Sequence, residues 1–298
     1  PVDTAIPCAR ITDMLEDPGA TYRFNGRART YPDIRLIYWA GGNPFHHHQD
    51  LNRLRRAWAK PETIVIQDPW WTPAARMADI VLPAASQLER NDIGSSPSQR
   101  HVYFMEQAVP PVGGARTDYH ILTGIAERLS LKDVFTEERD EAAWLRHIYD
   151  LWRQRVAEKG VETPGFDAFR EAEYLEIPAP ETPYVLFADF RADPQAHPLG
   201  TPSGKIEIFS ETIAGFRLAD CPGHPVWLEP VEWLGAEAAH THPLHMISNQ
   251  PRWRLHSQAD PGSVSRAHKV AGREPALINP ADAAARGIKP GDVVRVFN

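Results

Sequence analysis

The 298 residues carry 32 Lys and Arg against 39 Asp and Glu, which gives a formal net charge of −7. This balance argues against nucleic-acid binding, because phosphate backbones are held by clustered Lys and Arg. No apolar run approaches the roughly 20 residues that span a bilayer. The two cysteines, Cys8 and Cys221, lie far apart and outside any CxxC spacing, so neither an iron–sulfur cluster nor a structural zinc site is predicted.

The first predicted unit is a strand, a glycine turn, a helix and a second strand. An apolar strand over residues 34–40 runs into a turn that contains Gly42 and Asn43, and the strand after the helix ends in Gln67 and Asp68. Glycine lets the backbone approach a phosphate, and the amides at a helix N-terminus attract anions. A terminal acid can accept hydrogen bonds from a ribose or a guanine edge. The unit therefore indicates a nucleotide site, although the residues alone also fit a tight turn in a parallel sheet with a capping Asp68.

Alternating elements continue beyond this unit and predict a parallel sheet with helices on both faces, an α/β fold. The predicted elements are a helix with Leu51, Leu54 and Trp58 on one face, a helix over 72–77, a strand over 79–83, a polar loop over 84–99, a strand over 101–106, a helix from Thr117 or Asp118 to 129, a helix over 137–159, and strands over 184–190 and 205–209. A Pro- and Trp-rich stretch over 220–242 is predicted to be a linker.

A different pattern follows the linker. Strands are predicted over 244–248, 276–278 and 293–296, with a short helix over 281–286 between the last two. We therefore expect two regions, an α/β region over 1–238 with an internal break near 85, and a β-rich region over 239–298.

Five sequence words occur in order along the chain. They are IPCARITDMLEDPG (6–19), YWAGGNPFHHHQDLNR (38–53), ADIVLPAASQLERNDI (78–93), ARTDYHI (115–121) and ISNQPRWRLHSQ (247–258). Together they resemble the dimethyl sulfoxide reductase family of molybdopterin oxidoreductases, and within it the biotin sulfoxide reductases, through HHHQDLNRLRRAW and TPSGKIEIFSETIAGF. The C-terminal pattern of strand, NPADAAARGI helix, PGD turn and strand looks like the start of that family's double-psi β-barrel.

The resemblance implies a bis(molybdopterin guanine dinucleotide) molybdenum cofactor. It also implies a reductase that removes oxygen from a small sulfoxide or N-oxide, such as biotin sulfoxide, methionine sulfoxide, dimethyl sulfoxide or trimethylamine N-oxide. The electron donor, a protein or NAD(P)H, is not indicated, and the cytoplasm is favoured over the periplasm. A formate dehydrogenase or nitrate reductase type of enzyme and a non-catalytic cofactor-binding module remain as alternatives.

The chain begins at Pro1 and stops on a strand after the turn at Pro290, so we expect an internal piece of a longer polypeptide. In the family, the serine that ligates molybdenum precedes the matched region. No catalytic residue and no metal ligand are therefore expected here, and the piece alone is not expected to turn over. Three consecutive histidines, 46–48, cannot all face one ion, because neighbouring side chains diverge.

The resemblance also implies which residues contact the cofactor. They are Gly42, Asn43, His47, Gln67, Asp68, Arg90, Asp118, Ser248, Gln250, His256 and Ser257. Asp68 and Asp118 suit the donor pair of two different guanines, because a carboxylate accepts from both N1–H and the exocyclic amine. Arg90 suits a phosphate, whereas Asn91 and Asp92 are expected to hold the loop.

Overall fold

A computed structural model describes residues 4–297, and its strands form three separate small sheets. The strands are β1 (Thr21–Phe24), β2 (Arg27–Thr30), β3 (Leu36–Ala40), β4 (Thr63–Asp68), β5 (Ile80–Pro83), β6 (Asp92–Ser95), β7 (His101–Met105) and β8 (Tyr174–Glu176). The α-helices are α1 (Ile11–Glu16), α2 (Pro44–His47), α3 (Leu51–Trp58), α4 (Asp118–Arg128), α5 (Lys132–Thr136), α6 (Glu141–Ala157), α7 (Phe166–Ala172), α8 (Ala188–Ala192), α9 (Glu211–Gly215), α10 (Ser263–Ala267) and α11 (Pro280–Ala285). The mixed α/β class predicted from the sequence is confirmed, and the described residues contain no closed barrel.

The parallel sheet has the strand order β3-β4-β5, as the first predicted unit requires. Its register pairs Ala40 with Gln67 and Asp68 with Pro83. The carboxyl ends of the three strands therefore meet at one edge of the sheet. In an open parallel sheet this edge is where ligands bind.

The helices α1 and α3 cover one face of this sheet. Leu54 and Trp58 of α3 are fully buried and belong to the same core as Ile64 and Ile66 of β4. Four-residue spacing places Leu54 and Trp58 on one face of the helix. Leu51 lies on the same side of the helix but is its first residue and is 38% exposed.

The antiparallel sheet β6-β7-β8 packs with α6 and α7 around a second core. The ring of Tyr149 stacks on that of Phe169 with 4.4 Å between centroids. The helix predicted over 137–159 begins later, because the Asp140 side chain caps α6 by accepting from Ala143 N at 2.8 Å. The 17 residues of α6 make it the longest helix described. Within residues 4–297, no helix combines the length and apolar character needed to cross a bilayer.

The polar loop predicted over 84–99 contains regular structure. A 3₁₀ turn spans Gln87–Glu89, and β6 pairs antiparallel with β7 from Asp92 to Ser95. The sequence did not predict this strand, because the segment is polar in composition and lacks apolar alternation. Hydrogen bonds to β7 stabilise it instead.

Strand predictions in the C-terminal half are not met. No strand forms over 184–190, 205–209, 244–248, 276–278 or 293–296 in the described chain. Strands need a hydrogen-bonded neighbour, and none of these five segments has one among the residues that the structure describes. Helix α11, whose bonds are local, forms as expected, and Asn279 caps it by accepting from Ala281 N at 2.9 Å.

Candidate functional site

The carboxyl edge of the parallel sheet opens on the glycine turn. Gly41 and Gly42 both have left-handed backbones, with φ of 71° and 74°, a conformation that side-chain-bearing residues rarely adopt. Gly41 N donates to the carbonyl of Gln67 at 3.1 Å, which ties the turn to β4. A Cβ at Gly41 would meet no atom within 4 Å, so this side of the turn has open space against bare backbone.

Asn43 follows the turn and is 2% exposed. It occupies the position before α2, yet its side chain makes no capping hydrogen bond. Its Oδ1 atom is buried and has no hydrogen-bond partner. A buried amide oxygen without a partner costs about 1–3 kcal/mol, so a hydrogen-bond donor that reached this atom would be stabilising.

Asp68 ends β4 and is 7% exposed. Its Oδ1 accepts from Trp70 N at 2.8 Å, and no ion pair joins it to a described Lys, Arg or His. Burial raises the pKa of this carboxyl above its ordinary value, and the bond from Trp70 N only partly offsets that effect. The carboxylate is therefore desolvated without a cation, which suits uncharged donors on a ligand.

Gln67 and Asp118 are brought together by the fold. Gln67 Nε2 donates to Asp118 Oδ1 at 2.5 Å, and the Tyr38 hydroxyl donates to Gln67 Oε1. Because strand side chains alternate, Gln67 and Asp68 point to opposite faces of the sheet. Asp68 and Asp118 therefore lie on different sides of β4.

The loop with Arg90 is fixed by its neighbours. Glu89 is buried and accepts from the backbone amides of Ser86 at 2.7 Å and Val112 at 2.6 Å. These hydrogen bonds, first that from Ser86, hold the pKa of the Glu89 carboxyl below its ordinary value. Asn91 Oδ1 accepts from Gln107 N at 2.8 Å, which matches the predicted scaffolding role.

Arg90 itself is held from one side only. Its Nη1 atom lies 2.5 Å from Asp92 Oδ2, whereas its Nε atom is buried without a partner. Asp92 therefore holds one side of the guanidinium, while the Nε–H donor has no acceptor among the described residues. Asp92 thus does more than the loop scaffolding predicted for it, because it also orients Arg90.

The three histidines diverge, as expected. His46 Nε2 lies 3.2 Å from Arg254 Nη1, and His48 packs edge-on against Trp39. His47, the predicted cofactor contact, is exposed beside His48. Burial, followed by the charge of Arg254, lowers the pKa of His46. Among the described residues, no cluster of His, Cys, Asp or Glu has the arrangement of a metal site.

The cofactor contacts predicted within residues 247–258 are not brought together by the fold to the same extent. Ser248, Gln250 and His256 are exposed, and Ser257 is half-buried. Gln250 Nε2 donates to the carbonyl of Arg254 at 2.6 Å, and the carbonyl of His256 accepts from Arg254 Nη1. Within residues 247–258, Arg254 makes the contact with α2, through His46.

Three residues that the sequence did not single out organise these contacts: Tyr38, Glu89 and Arg254. Only Glu89 left a signal, because Ser86 followed three residues later by a glutamate is a capping-box spacing. Tyr38 and Arg254 act through partners distant in sequence, so no local pattern reveals them.

Comparison with known families matches two parts of the chain. Residues 20–128 match the family described as molybdopterin oxidoreductase, and residues 244–298 match the molydopterin dinucleotide binding domain. Together these ranges take in more than half of the chain and include every cofactor contact predicted above.

Characterised relatives agree with these matches. The chain is 51% identical to a dimethyl sulfoxide/trimethylamine N-oxide reductase and 46% identical to a biotin sulfoxide reductase, both of Cereibacter sphaeroides. It is 45% identical to a trimethylamine-N-oxide reductase of Haemophilus influenzae. These alignments cover 99–100% of this chain but only 36–40% of each relative, so the chain spans less than half of their length.

The fold is shared more widely. Acetylene hydratase from Pelobacter acetylenicus aligns with a TM-score of 0.60 at 21% identity over 87% of this chain and 33% of that one, which shows a common fold and nothing further. The family expected from the sequence words is confirmed: the chain belongs to the molybdopterin oxidoreductases.

Proposed function

We propose that this chain holds a bis(molybdopterin guanine dinucleotide) cofactor within a reductase that removes oxygen from a sulfoxide or N-oxide. The observation that carries the cofactor assignment is the buried, unpartnered Oδ1 of Asn43 beside the open glycine turn. The substrate class rests on the relatives, whose names specify dimethyl sulfoxide, trimethylamine N-oxide and biotin sulfoxide.

The residues present fit the chemistry of the dinucleotide. Asp68 and Asp118 offer carboxylate oxygens to the donor edges of two guanines, one on each face of β4. Arg90 offers the guanidinium edge that contains Nε to a phosphate, and the Gly42 backbone allows close approach. Asn43 Oδ1 accepts from a donor at the same edge.

The protein's contribution is binding and orientation, whereas the molybdenum cofactor supplies the oxygen-atom and electron transfer when bound. In this proposal Asp68 and Asp118 accept hydrogen bonds from the guanines, Arg90 binds a phosphate, and the reacting end of the cofactor is left to other residues. We also include Gln67 and His47 among the residues that hold the cofactor. Gln67 acts through its hydrogen bond to Asp118, and the exposed His47 contacts the cofactor directly.

For the C-terminal region we propose that residues 239–298 begin the double-psi barrel, and that 1–238 form the α/β region with a break near 85. The family match from residue 244 supports this division. Ser248, Gln250, His256 and Ser257 are then cofactor contacts that become buried when the barrel strands find their partners. We expect the protein in the cytoplasm rather than in the periplasm. Cell fractionation tests this expectation.

The experiment is to produce the protein in a host that makes the cofactor and to measure two quantities per mole of protein. Molybdenum is measured by mass spectrometry of the metal, and GMP is measured after acid hydrolysis. We expect two GMP for each molybdenum. Reductase activity toward dimethyl sulfoxide, trimethylamine N-oxide or biotin sulfoxide, with a reduced dye as electron donor, is expected only of the full-length enzyme that contains this chain. Protein that contains neither molybdenum nor GMP would refute the proposal.

A further inference from the structure

The side chain of Gln67 lies near the carboxyl end of β4. It is 3% exposed, and both ends of its amide are engaged. Asp118 can only accept when ionised, so the amide nitrogen must face Asp118 and the amide oxygen must face Tyr38. The orientation of the amide is therefore fixed by its partners.

Each of the three residues comes from a different element. Tyr38 lies on β3, Gln67 on β4, and Asp118 opens α4 directly after its capping residue, Thr117. Tyr38 is paired in register with Val65, so Tyr38, Val65 and Gln67 share the face of the sheet that α4 approaches. The chain of hydrogen bonds thus connects two strands to the start of a helix.

The Tyr38 hydroxyl is available as a donor. Burial, followed by the nearby Asp118 charge, raises the pKa of Tyr38 above its ordinary value, so the hydroxyl stays protonated at neutral pH. The carboxylate of Asp118 is itself exposed, and only its Oδ1 is held by Gln67. Its second oxygen, Oδ2, takes part in no hydrogen bond to the described residues.

We propose that Tyr38 and Gln67 are positioning residues, which hold the Asp118 carboxylate so that it accepts from the guanine edge of one dinucleotide. This inference rests on the proposed function. It changes the role of Gln67 from direct contact to support, and it adds Tyr38 to the residues that determine how well the cofactor is held.

The first test removes one hydrogen bond. In Tyr38→Phe, GMP retained per mole of protein should fall about 2- to 10-fold, the worth of one neutral hydrogen bond. Tyr22→Phe is the matched control, because it also loses a single tyrosyl hydrogen bond, to the carbonyl of Ala5. Retention in Tyr38→Phe that equals both the wild type and this control would overturn the inference.

The second test makes retention depend on pH. Gln67→Glu sets a carboxylate against Asp118, and two close carboxylates share a proton only as the pH falls. GMP retention by this variant should be low at pH 8 and recover toward pH 5, whereas the wild type should change little between these values. A variant as flat as the wild type would overturn the inference, because residue 67 would then not act on the Asp118 carboxylate.

The third test separates folding from recognition. In the double variant Gln67→Glu with Asp118→Asn, the amide of residue 118 donates to the new carboxylate, so the hydrogen bond is restored in the reverse direction. The melting temperature should recover, while GMP retention stays low because residue 118 has lost its carboxylate. Recovery of both would show that Asp118 is not the guanine acceptor. Absence of GMP from the wild type would instead overturn the proposed function itself.

Discussion

Arg254 Nη1 lies 3.2 Å from His46 Nε2, which joins residues 208 positions apart. The Arg254 side chain is 10% exposed and also pairs with Glu274 at 3.1 Å and Asp260 at 3.4 Å. A guanidinium cannot accept, so the ring nitrogen of His46 must accept and His46 is neutral in this contact. This contact joins the segment over residues 247–258 to α2, the helix that follows the glycine turn.

A variant at Arg254 should therefore change the titration of His46. In Arg254→Gln the pKa of His46 should rise toward its ordinary value, because one of the effects that lowers it is removed while burial remains. NMR of the imidazole protons against pH measures this shift. Arg252→Gln, which alters an arginine that packs over Trp253, is the control and should leave the His46 titration unchanged.

The lowered pKa of His46 also gives a pH dependence of stability. Between the folded pKa and the ordinary value of 6.5, the unfolded chain binds more protons at this residue. The contribution of His46 to the free energy of unfolding therefore decreases as pH falls through that window. Urea unfolding at several pH values should show a smaller decrease in Arg254→Gln than in the wild type.

Asp68→Asn should separate cofactor binding from stability. A donor group would replace one acceptor oxygen against the guanine, which costs about 1–3 kcal/mol and lowers GMP and molybdenum per protein. Turnover per bound molybdenum should change much less, because the proposed role of Asp68 is to hold the guanine and not to act at the metal. Asp33→Asn, at an exposed position, is the control. Full molybdenum content with lost turnover would place Asp68 near the reaction centre instead.

Without cofactor, the same substitution should stabilise the fold at neutral pH. The pKa of Asp68 is raised, so its stability contribution is complete below the unfolded pKa and is lost as pH rises through the folded pKa. An uncharged Asn avoids that loss and still accepts from Trp70 N. The melting temperature of cofactor-free Asp68→Asn should exceed that of the wild type at pH 7, and the difference should shrink toward pH 4.

Asp92→Asn tests the orientation of Arg90. Loss of the charge that holds Arg90 Nη1 at 2.5 Å should free the guanidinium and lower GMP retention. Arg90→Lys should have a comparable effect, since an ammonium offers no planar edge to a phosphate. Asp133→Asn on α5 is the control for loss of one carboxylate. Unchanged retention in Asp92→Asn would return Asp92 to a purely scaffolding role.

Leu54→Ala tests the core under the sheet. Leu54 is fully buried, and its truncation should cost about 2–5 kcal/mol of the free energy of unfolding. Leu51→Ala on the same helix is the matched control, and should cost far less because Leu51 is 38% exposed. Urea unfolding measures both, and similar losses would contradict the core described above.

The sequence by itself determined the local parts of this protein. The strand, glycine turn, helix and strand unit, the cap of α4 by Thr117 and the cap of α11 by Asn279 all depend on residues a few positions apart, so their patterns are readable. The tertiary structure alone decided which polar groups meet. Tyr38 reaches Asp118 through Gln67, and His46 meets Arg254, only because strand pairing and helix packing bring distant segments together. For the same reason the strands predicted in the C-terminal region do not form within residues 4–297: β-strand hydrogen bonds need a partner, which apolar alternation along one segment cannot supply.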